Sequence, residues 1–386
     1  MTLRVRIIPH KFKGSLSAAQ VVSAIEAGVK AACSRRGIAL DLKGYPVTDG
    51  GDGFVDVVHS LLGGERKSVR VCGPLGAEVD SSWLWLEDRR WAVIEMAAAA
   101  GLVQVPEERR NPLHTTSHGV GELILDALRY SPREIVIGIG GSATNDAGCG
   151  MCQALGVRFF AGASEIVGPI SGGRLAAVTS IDLERLDARL KSCRLTVAAD
   201  VTNPLCGPTG ATYVFGPQKG LRPQDASALD DALAHIAGLF RSQNSGVDPD
   251  SPGCGAAGGL GFALKYVLQA ELVRGFQMMR DLLALDQVVK QADIVLTGEG
   301  QLDRSSADGK ICFEVAALAQ PVPTYAIVGR STLTMEQARE SGLAGVYSIV
   351  DDLGMSTDEA IAAAYQALTR LAEYAMEDLC LRRICV

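Results

Sequence analysis

The chain has 386 residues, 47% of them hydrophobic and 21% charged, which suits two domains with large cores and argues against disorder. Its 44 acids against 37 Lys and Arg give a net charge of −7, and no long basic run occurs, so nucleic acid is not an expected partner. No apolar run reaches the roughly 18 residues of a membrane span, and the apolar stretch at the N-terminus is too short for a signal peptide.

The ten cysteines read as reduced thiols, so a cytoplasmic protein is expected. In chain order, Val5 to Ile8 reads as a short strand, followed by a helix from Ser17 to Cys33 with Ser17 as N-cap. A strand over Ala39–Val47 ends at Thr48-Asp49-Gly50-Gly51. Three closely spaced strands follow, Lys67–Val71, Val79–Leu86 and Trp91–Glu95, in a spacing that suits antiparallel or mixed pairing. A helix over Thr116–Arg129 leads into the apolar strand Glu134–Ile139. The last hundred residues alternate strand Asp293–Thr297, helix Ile311–Ala319, strand Val322–Val328, helix Thr334–Ser341 and strand Gly345–Val350, closed by an amphipathic helix Thr357–Leu379. Alternating strands and helices predict a parallel sheet covered by helices. The expected fold is therefore two-domain α/β. A parallel, Rossmann-like sheet domain is built from both chain ends (1–66 and 288–386), and a mixed-sheet α/β domain (67–287) is inserted.

Ligands of open parallel sheets sit at the carboxyl ends of strands, so the polar turns there carry the functional argument. The richest is the strand end Ile139-Gly140-Gly141-Ser142-Ala143-Thr144-Asn145-Asp146. Glycines there let backbone N–H groups form an anion nest, and a helix starting near Asp146 would add the positive end of its dipole. Gly140, Gly141, Ser142, Thr144 and Asn145 are thus candidate phosphate or substrate ligands. The same run also reads as an ordinary strand-to-helix turn.

The other turns supply charges. Lys13 and Lys219 sit in glycine-flanked turns, and Lys310 follows Gly309 at a helix start. Each suits neutralisation of phosphate oxygens. Asp49 and Asp52, among three glycines, suit Mg²⁺ held by a carboxylate and waters, and Asp49 or Asp52 also suits an N-cap near Phe54. Asp200, at a strand end before Asn203-Pro204, is the candidate acceptor of a hydroxyl proton, although a lone Asp there also makes Asx-turns. Asn203, Gln218 and Glu299 complete the candidate binding set, and Asp303 is a third candidate metal ligand. The run Gly253–Gly261 lacks the GK[ST] of a Walker loop, and no kinase HRD or DFG set or Rossmann GxGxxG is present.

Eight segments then occur in one order: Phe12–Ala18 (FKGSLSA), Asp49–Gly53 (DGGDG), Glu95–Leu102 (EMAAAAGL), Gly138–Asp146 (GIGGSATND), Asp200–Ala211 (DVTNPLCGPTGA), Phe215–Gly220 (FGPQKG), Ala256–Gly261 (AAGGLG) and Thr297–Asp303 (TGEGQLD). In these the chain resembles the glycerate kinase family. The resemblance implies that family's own two-domain fold, an active site in the cleft between domains, and ATP- and Mg²⁺-dependent phosphorylation of D-glycerate, with 2-phosphoglycerate the favoured product. Expected partners are these small molecules alone, without nucleic acid or membrane, in a candidate homodimer. The chain departs from the family at His10-Lys11, where an Asp-Ser is usual, at Gln301 for Arg, Asp52 for Glu and Ala147 for Gly. These departures keep two alternatives in view: a kinase for another small hydroxy acid such as a four-carbon aldonate, and a non-catalytic sensor of an acid metabolite.

Overall fold

The computed structural model describes residues 2–303 and 311–381. The chain forms two compact units, Met1–Thr48 with Phe276–Val386, and Asp49–Gly275.

Unit one opens with β1 (Leu3–Pro9), a strand buried at all but one position, and the parallel β2 (Leu40–Gly44). Between them lies the helix Ala18–Arg35. Ser17 caps it as expected: its hydroxyl accepts from Gln20 N–H while the Gln20 side chain accepts from Ser17 N–H. Its buried stripe runs Ala18, Val21, Ala24, Ile25, Gly28, Val29, Ala32, the three-and-four spacing of one helix face.

Unit two carries a six-stranded sheet and a smaller one. β3 (Glu65–Cys72), β4 (Glu78–Leu86) and β5 (Trp91–Glu95) pair antiparallel. β6 (Glu134–Gly138) then joins β5 in parallel. β7 (Arg158–Ala161), β8 (Ser164–Glu165) and β9 (Ser180–Asp182) form a separate antiparallel sheet. β10 (Arg194–Ala198) and β11 (Glu271–Val273) complete the large sheet in the order β11-β10-β6-β5-β4-β3. The sheet is mixed because short connections can only reverse the chain, whereas the parallel half needs the longer helical crossovers. Its core includes Trp83, Ile94, Leu123, Ile137, Val197 and Phe262.

The chain returns to unit one with β12 (Ile294–Gly298), β13 (Gln301–Leu302), β14 (Thr324–Val328), β15 (Arg330–Ser331) and β16 (Gly345–Ser348). The main sheet is all parallel, β16-β14-β12-β1-β2, with β13 and β15 forming a small parallel pair. β12 and β14 are buried along their whole length, as strands covered on both faces must be. The expected single closing helix is instead two, Thr357–Ala362 and Ala364–Leu381, because Ala363 leaves helical geometry at φ −115°, ψ 29°. The second packs along Ala18–Arg35 through Leu368, Leu371, Ala375 and Leu379.

Candidate functional site

In unit two the parallel strands β5, β6, β10 and β11 end at one edge, since Glu95 and Ala198 both stand opposite Gly138, and Val273 stands opposite Ala198. The turn Asp49–Gly53 lies across these ends. The Gly140 N–H donates to Gly50 carbonyl oxygen at 3.2 Å. A Cβ on Gly140 would overlap the Gly51 Cα, so the strand must end in glycine for the turn to cross it. Asp49 accepts from Gly51 N–H at 2.9 Å, and Asp200 accepts from Gly275 N–H at 2.8 Å. The backbone of Gly275 in turn packs against Asp49. Three residues proposed from sequence (Asp49, Asp200 and Gly140) thus share one edge, each held by backbone.

The anion nest is narrower than its sequence. Gly140 and Ala143 spend their N–H groups on Gly50 and Ala100 carbonyls, and the Ala143 carbonyl receives Thr115 Oγ1. The N–H groups of Gly141, Ser142, Thr144 and Asn145 make no backbone hydrogen bond with a described residue. Gly141 is exposed at φ 74° and Ser142 lies just beneath, while Thr144 and Asn145 are fully buried. The surface part is therefore Gly141–Ser142. Behind it, Thr144 Oγ1 and Asn145 Oδ1 are buried with no partner among the described residues, and Asn145 Nδ2 donates to Thr212 Oγ1 at 3.0 Å. Unsatisfied buried oxygens cost about 1–3 kcal/mol each, so they mark a site rather than a spare turn.

The expected helix start at Asp146 is corrected. The helix is Cys149–Ala154, and its first amides are already taken. Asp146, fully buried, accepts from Gly148 and Gly150 N–H and from both the N–H and Oγ of Ser117. Burial pushes its carboxyl upward against those four donors. Its charge is spent fastening the loop to the start of helix His118–Leu128, and the first amides of Cys149–Ala154 are turned to acceptors of Asp146, Gly148 and Ser117. The glycine-rich run before Leu260 backs the same loop. Gly258, at φ 68°, leaves no room for a Cβ beside the Thr144 carbonyl, and its own carbonyl accepts from Ala147 N–H.

Lys219 is 2% exposed. The 3₁₀ turn Pro217–Lys219, closed by Gly220 at φ 83°, turns it inward, where Nζ donates to Ser142 Oγ at 2.8 Å and to Thr144 carbonyl oxygen at 2.6 Å. Burial lowers its pKa to about 7, against a smaller opposing pull from Asp146. Gln218 beside it is exposed. Asn203 Nδ2 donates to Thr209 carbonyl oxygen at 2.7 Å and so closes its own loop.

Asp52 is exposed, and its neighbour Glu95 was not singled out from sequence. Glu95 accepts from the N–H groups of Gly53 and Val55, binding the Asp49–Gly53 turn and the helix Phe54–Leu62 to the end of β5. Burial raises its carboxyl, opposed by those two donors. Its signals in the sequence were its place after the apolar run Trp91–Ile94 and at the head of the segment Glu95–Leu102, neither of which gave it a role. A cavity of about 710 Å³ in this unit is lined by Asp52, Arg70, Asp80, Ser82, Glu95 and Gln104. Its cation Arg70 is already paired with Glu78 at 2.9 Å, and it includes neither the nest nor Asp200, so the strand-end edge is the better site. Arg274, exposed at the end of β11 beside Gly275, is a second residue that sequence reasoning missed.

In unit one the ends of β1, β12 and β14 carry the other candidates. His10 N–H donates to Gly298 carbonyl oxygen at 2.8 Å, and Gly300 lies against Phe12 and the Lys13 backbone. The turn after β1 is thereby laid beside Gly298–Gly300. Lys13 is exposed, Glu299 buried and Asp303 half-buried. Gln301 Nε2 donates to Asp303 Oδ2 at 3.1 Å, and Arg330 stands opposite Gln301 in register, a guanidinium unforeseen from sequence. Lys310 lies outside the described residues.

Among the described residues no group of three or more His, Cys, Asp or Glu is arranged to hold a metal ion. The donors that are present, single carboxylates at turns, fit a hard ion that keeps most of its ligands from water and phosphate, as Mg²⁺ does. Cys149 and Cys152 stand in Cys-x-x-Cys spacing. Both are free and buried, and burial pushes both thiols up, so they are inert core residues. No helix among the described residues is long and apolar enough to cross a membrane.

Two α/β units with glycine-rich turns at the carboxyl ends of parallel strands define a class of phosphate-handling enzyme. The profile of the glycerate kinase family matches residues 5–380. Over 372 residues the chain is 41% identical to glycerate 2-kinase of Escherichia coli (strain K12), covering 95% of this chain and 96% of that one. It is 42% identical over 357 residues to a glycerate kinase of Halalkalibacterium halodurans, covering 92% of each. A crystal structure of a Salmonella typhimurium LT2 protein provisionally assigned as glycerate kinase 2 superposes with a TM-score of 0.84 at 40% identity, covering 99% of this chain and 100% of that one. The chain belongs to the glycerate kinase family.

Proposed function

We propose that this protein transfers the γ-phosphoryl group of ATP to a hydroxyl of D-glycerate, giving 2-phosphoglycerate and ADP. The observation that supports the reading is the edge in unit two, where the Gly141 and Ser142 N–H groups are left without backbone acceptors among the described residues while Asp49 and Asp200 accept from the N–H groups of Gly51 and Gly275. Phosphoryl transfer needs little covalent help from a protein. It needs positioned donors for phosphate oxygens and a carboxylate for the attacking hydroxyl.

In this reading the nest binds an anionic oxygen, and Asp200 accepts the hydroxyl proton as the oxygen attacks phosphorus. Gly275 fixes one oxygen of Asp200, which sets the carboxylate's direction. Asp49 and Asp52 of unit two and Asp303 of unit one are the candidate holders of Mg²⁺, which when bound neutralises phosphate charge. Lys13 and Lys310 are the candidate cations of unit one, with Glu299 its buried acid. Asn203 and Gln218 remain candidate ligands by position alone. A coupled assay tests the reading: ADP should form with Mg²⁺-ATP and D-glycerate, and not with L-glycerate at equal concentration. No ADP above the ATP-only background would count against it.

A further inference from the structure

Lys219 is the residue whose surroundings ask most for an explanation. It is a cation with 2% exposure, and it makes no ion pair among the described residues that would account for burying it. Its two acceptors, Ser142 Oγ and the Thr144 carbonyl, both belong to the nest loop. It therefore approaches the nest from behind and cannot be a cation that meets phosphate in the open.

The donor inventory gives this position a consequence. A protonated lysine donates three hydrogen bonds and accepts none. Ser142 Oγ, 2.8 Å away, must accept from it, so the Ser142 hydroxyl proton has to point elsewhere. Ser142 is 7% exposed and follows exposed Gly141, so the surface of the nest is open to that proton. The second bond, to the Thr144 carbonyl at 2.6 Å, turns that oxygen away from any anion in front. A neutral amine at 219 could accept from Ser142, and an apolar side chain would leave both Ser142 Oγ and the Thr144 carbonyl without their donor, so either removes the constraints.

We infer that Lys219 is a positioning residue that acts through Ser142: from behind the nest it fixes the Ser142 hydroxyl as an outward donor to an anionic oxygen of the bound ligand. The oxygen comes from an ATP phosphate or from the carboxylate of D-glycerate, two sources of one chemistry. The inference deepens the kinase reading and rests on it for the choice of ligands. Of the charged groups near Lys219, Asp146, in the loop before helix Cys149–Ala154, opposes the lowering of its pKa, His118 faces Asp146 from helix His118–Leu128, and Arg110 packs against the adjoining Gly220. Protonation of Lys219, near pH 7 in the free protein, is the condition for the arrangement.

The test is a double-mutant cycle of Lys219→Met and Ser142→Ala, read by calorimetry as Kd for ATP and, separately, for D-glycerate. We expect each single variant to weaken one of the two ligands roughly 10- to 100-fold, as for a hydrogen bond to a charged group. The double variant should be within about threefold of the weaker single, because both substitutions remove one donor. The ligand affected identifies phosphate or carboxylate as the partner. Losses that multiply would overturn the inference. If Lys219→Met does not fold, the pH dependence of Kd decides: wild type should bind more weakly from about pH 6 to about pH 9, and Ser142→Ala should not follow. Parallel profiles would overturn it. ADP formation by the wild type is assayed alongside, so binding without turnover counts against the kinase reading alone, and failure of either ligand to bind overturns both.

Discussion

The N–H of Gly275 holds Asp200 Oδ1 at 2.8 Å, which ties the acid after β10 to the residue that ends the β11 turn. A carboxylate fixed in this way has one oxygen oriented by backbone. Asn at 200 keeps an oxygen acceptor for Gly275 but loses the basicity. We expect Asp200→Asn to lower kcat by about 10²- to 10⁴-fold, the usual worth of a general base, with Tm nearly unchanged. A kcat close to wild type would remove Asp200 from the chemistry.

Gly140 tests the geometry of the edge. Its added Cβ in Gly140→Ala would meet Gly51 Cα, so the Asp49–Gly53 turn has to lift from the strand end. Overpacking of this kind costs about 1–3 kcal/mol, and it also displaces Asp49. The expected result is a lower urea midpoint together with a raised KM for ATP. An unchanged KM in a destabilised variant would show that the turn does not serve the nucleotide.

Ala147 lies in left-handed backbone at φ 54°, where the family usually has glycine. A Cβ costs roughly 1–2 kcal/mol in that region, partly offset by the greater freedom of glycine in the unfolded chain. Ala147→Gly should therefore stabilise by about 0.5–1 kcal/mol, measurable as a higher urea midpoint. A lower midpoint would mean that the Ala147 methyl contributes more packing than strain.

Lys219 also gives stability a pH dependence. Its pKa is lowered by burial from 10.5 to about 7 in the folded protein. Below about 7 both states carry the proton and the full cost of burying the charge is present. Between about 7 and 10.5 the unfolded chain holds the proton and the folded one does not, so this group makes unfolding harder as pH rises. Lys219→Met should flatten that rise in urea unfolding at pH 7, 8.5 and 9.5. Equal slopes in both proteins would place the buried amine's titration elsewhere.

The sequence carried the strand-end motifs well because glycine and short polar residues after an apolar run have few alternative meanings. Gly140 and Asp200 follow neighbouring strand ends, and Asp49, expected in the domain 1–66, instead stands with them in unit two. What was hidden depends on direction. Lys219 and Gln218 are neighbours in one rigid turn, yet one is buried and the other exposed, and only the 3₁₀ turn decides which. Asp146 looked like a helix start because acids favour that place. Its four donors come partly from Ser117, 29 positions earlier, which no local pattern announces. Glu95, Arg274 and Arg330 owe their places to strand register, which sequence periodicity does not fix.

The most direct measurement of the central claim is ³¹P NMR of the products formed from Mg²⁺-ATP and D-glycerate. We expect loss of the γ-phosphate signal, appearance of ADP, and one new phosphomonoester resonance coupled to the single proton at C2, the signature of 2-phosphoglycerate. Coupling to the two C3 protons would contradict the proposed product, and no new phosphomonoester would contradict the activity itself.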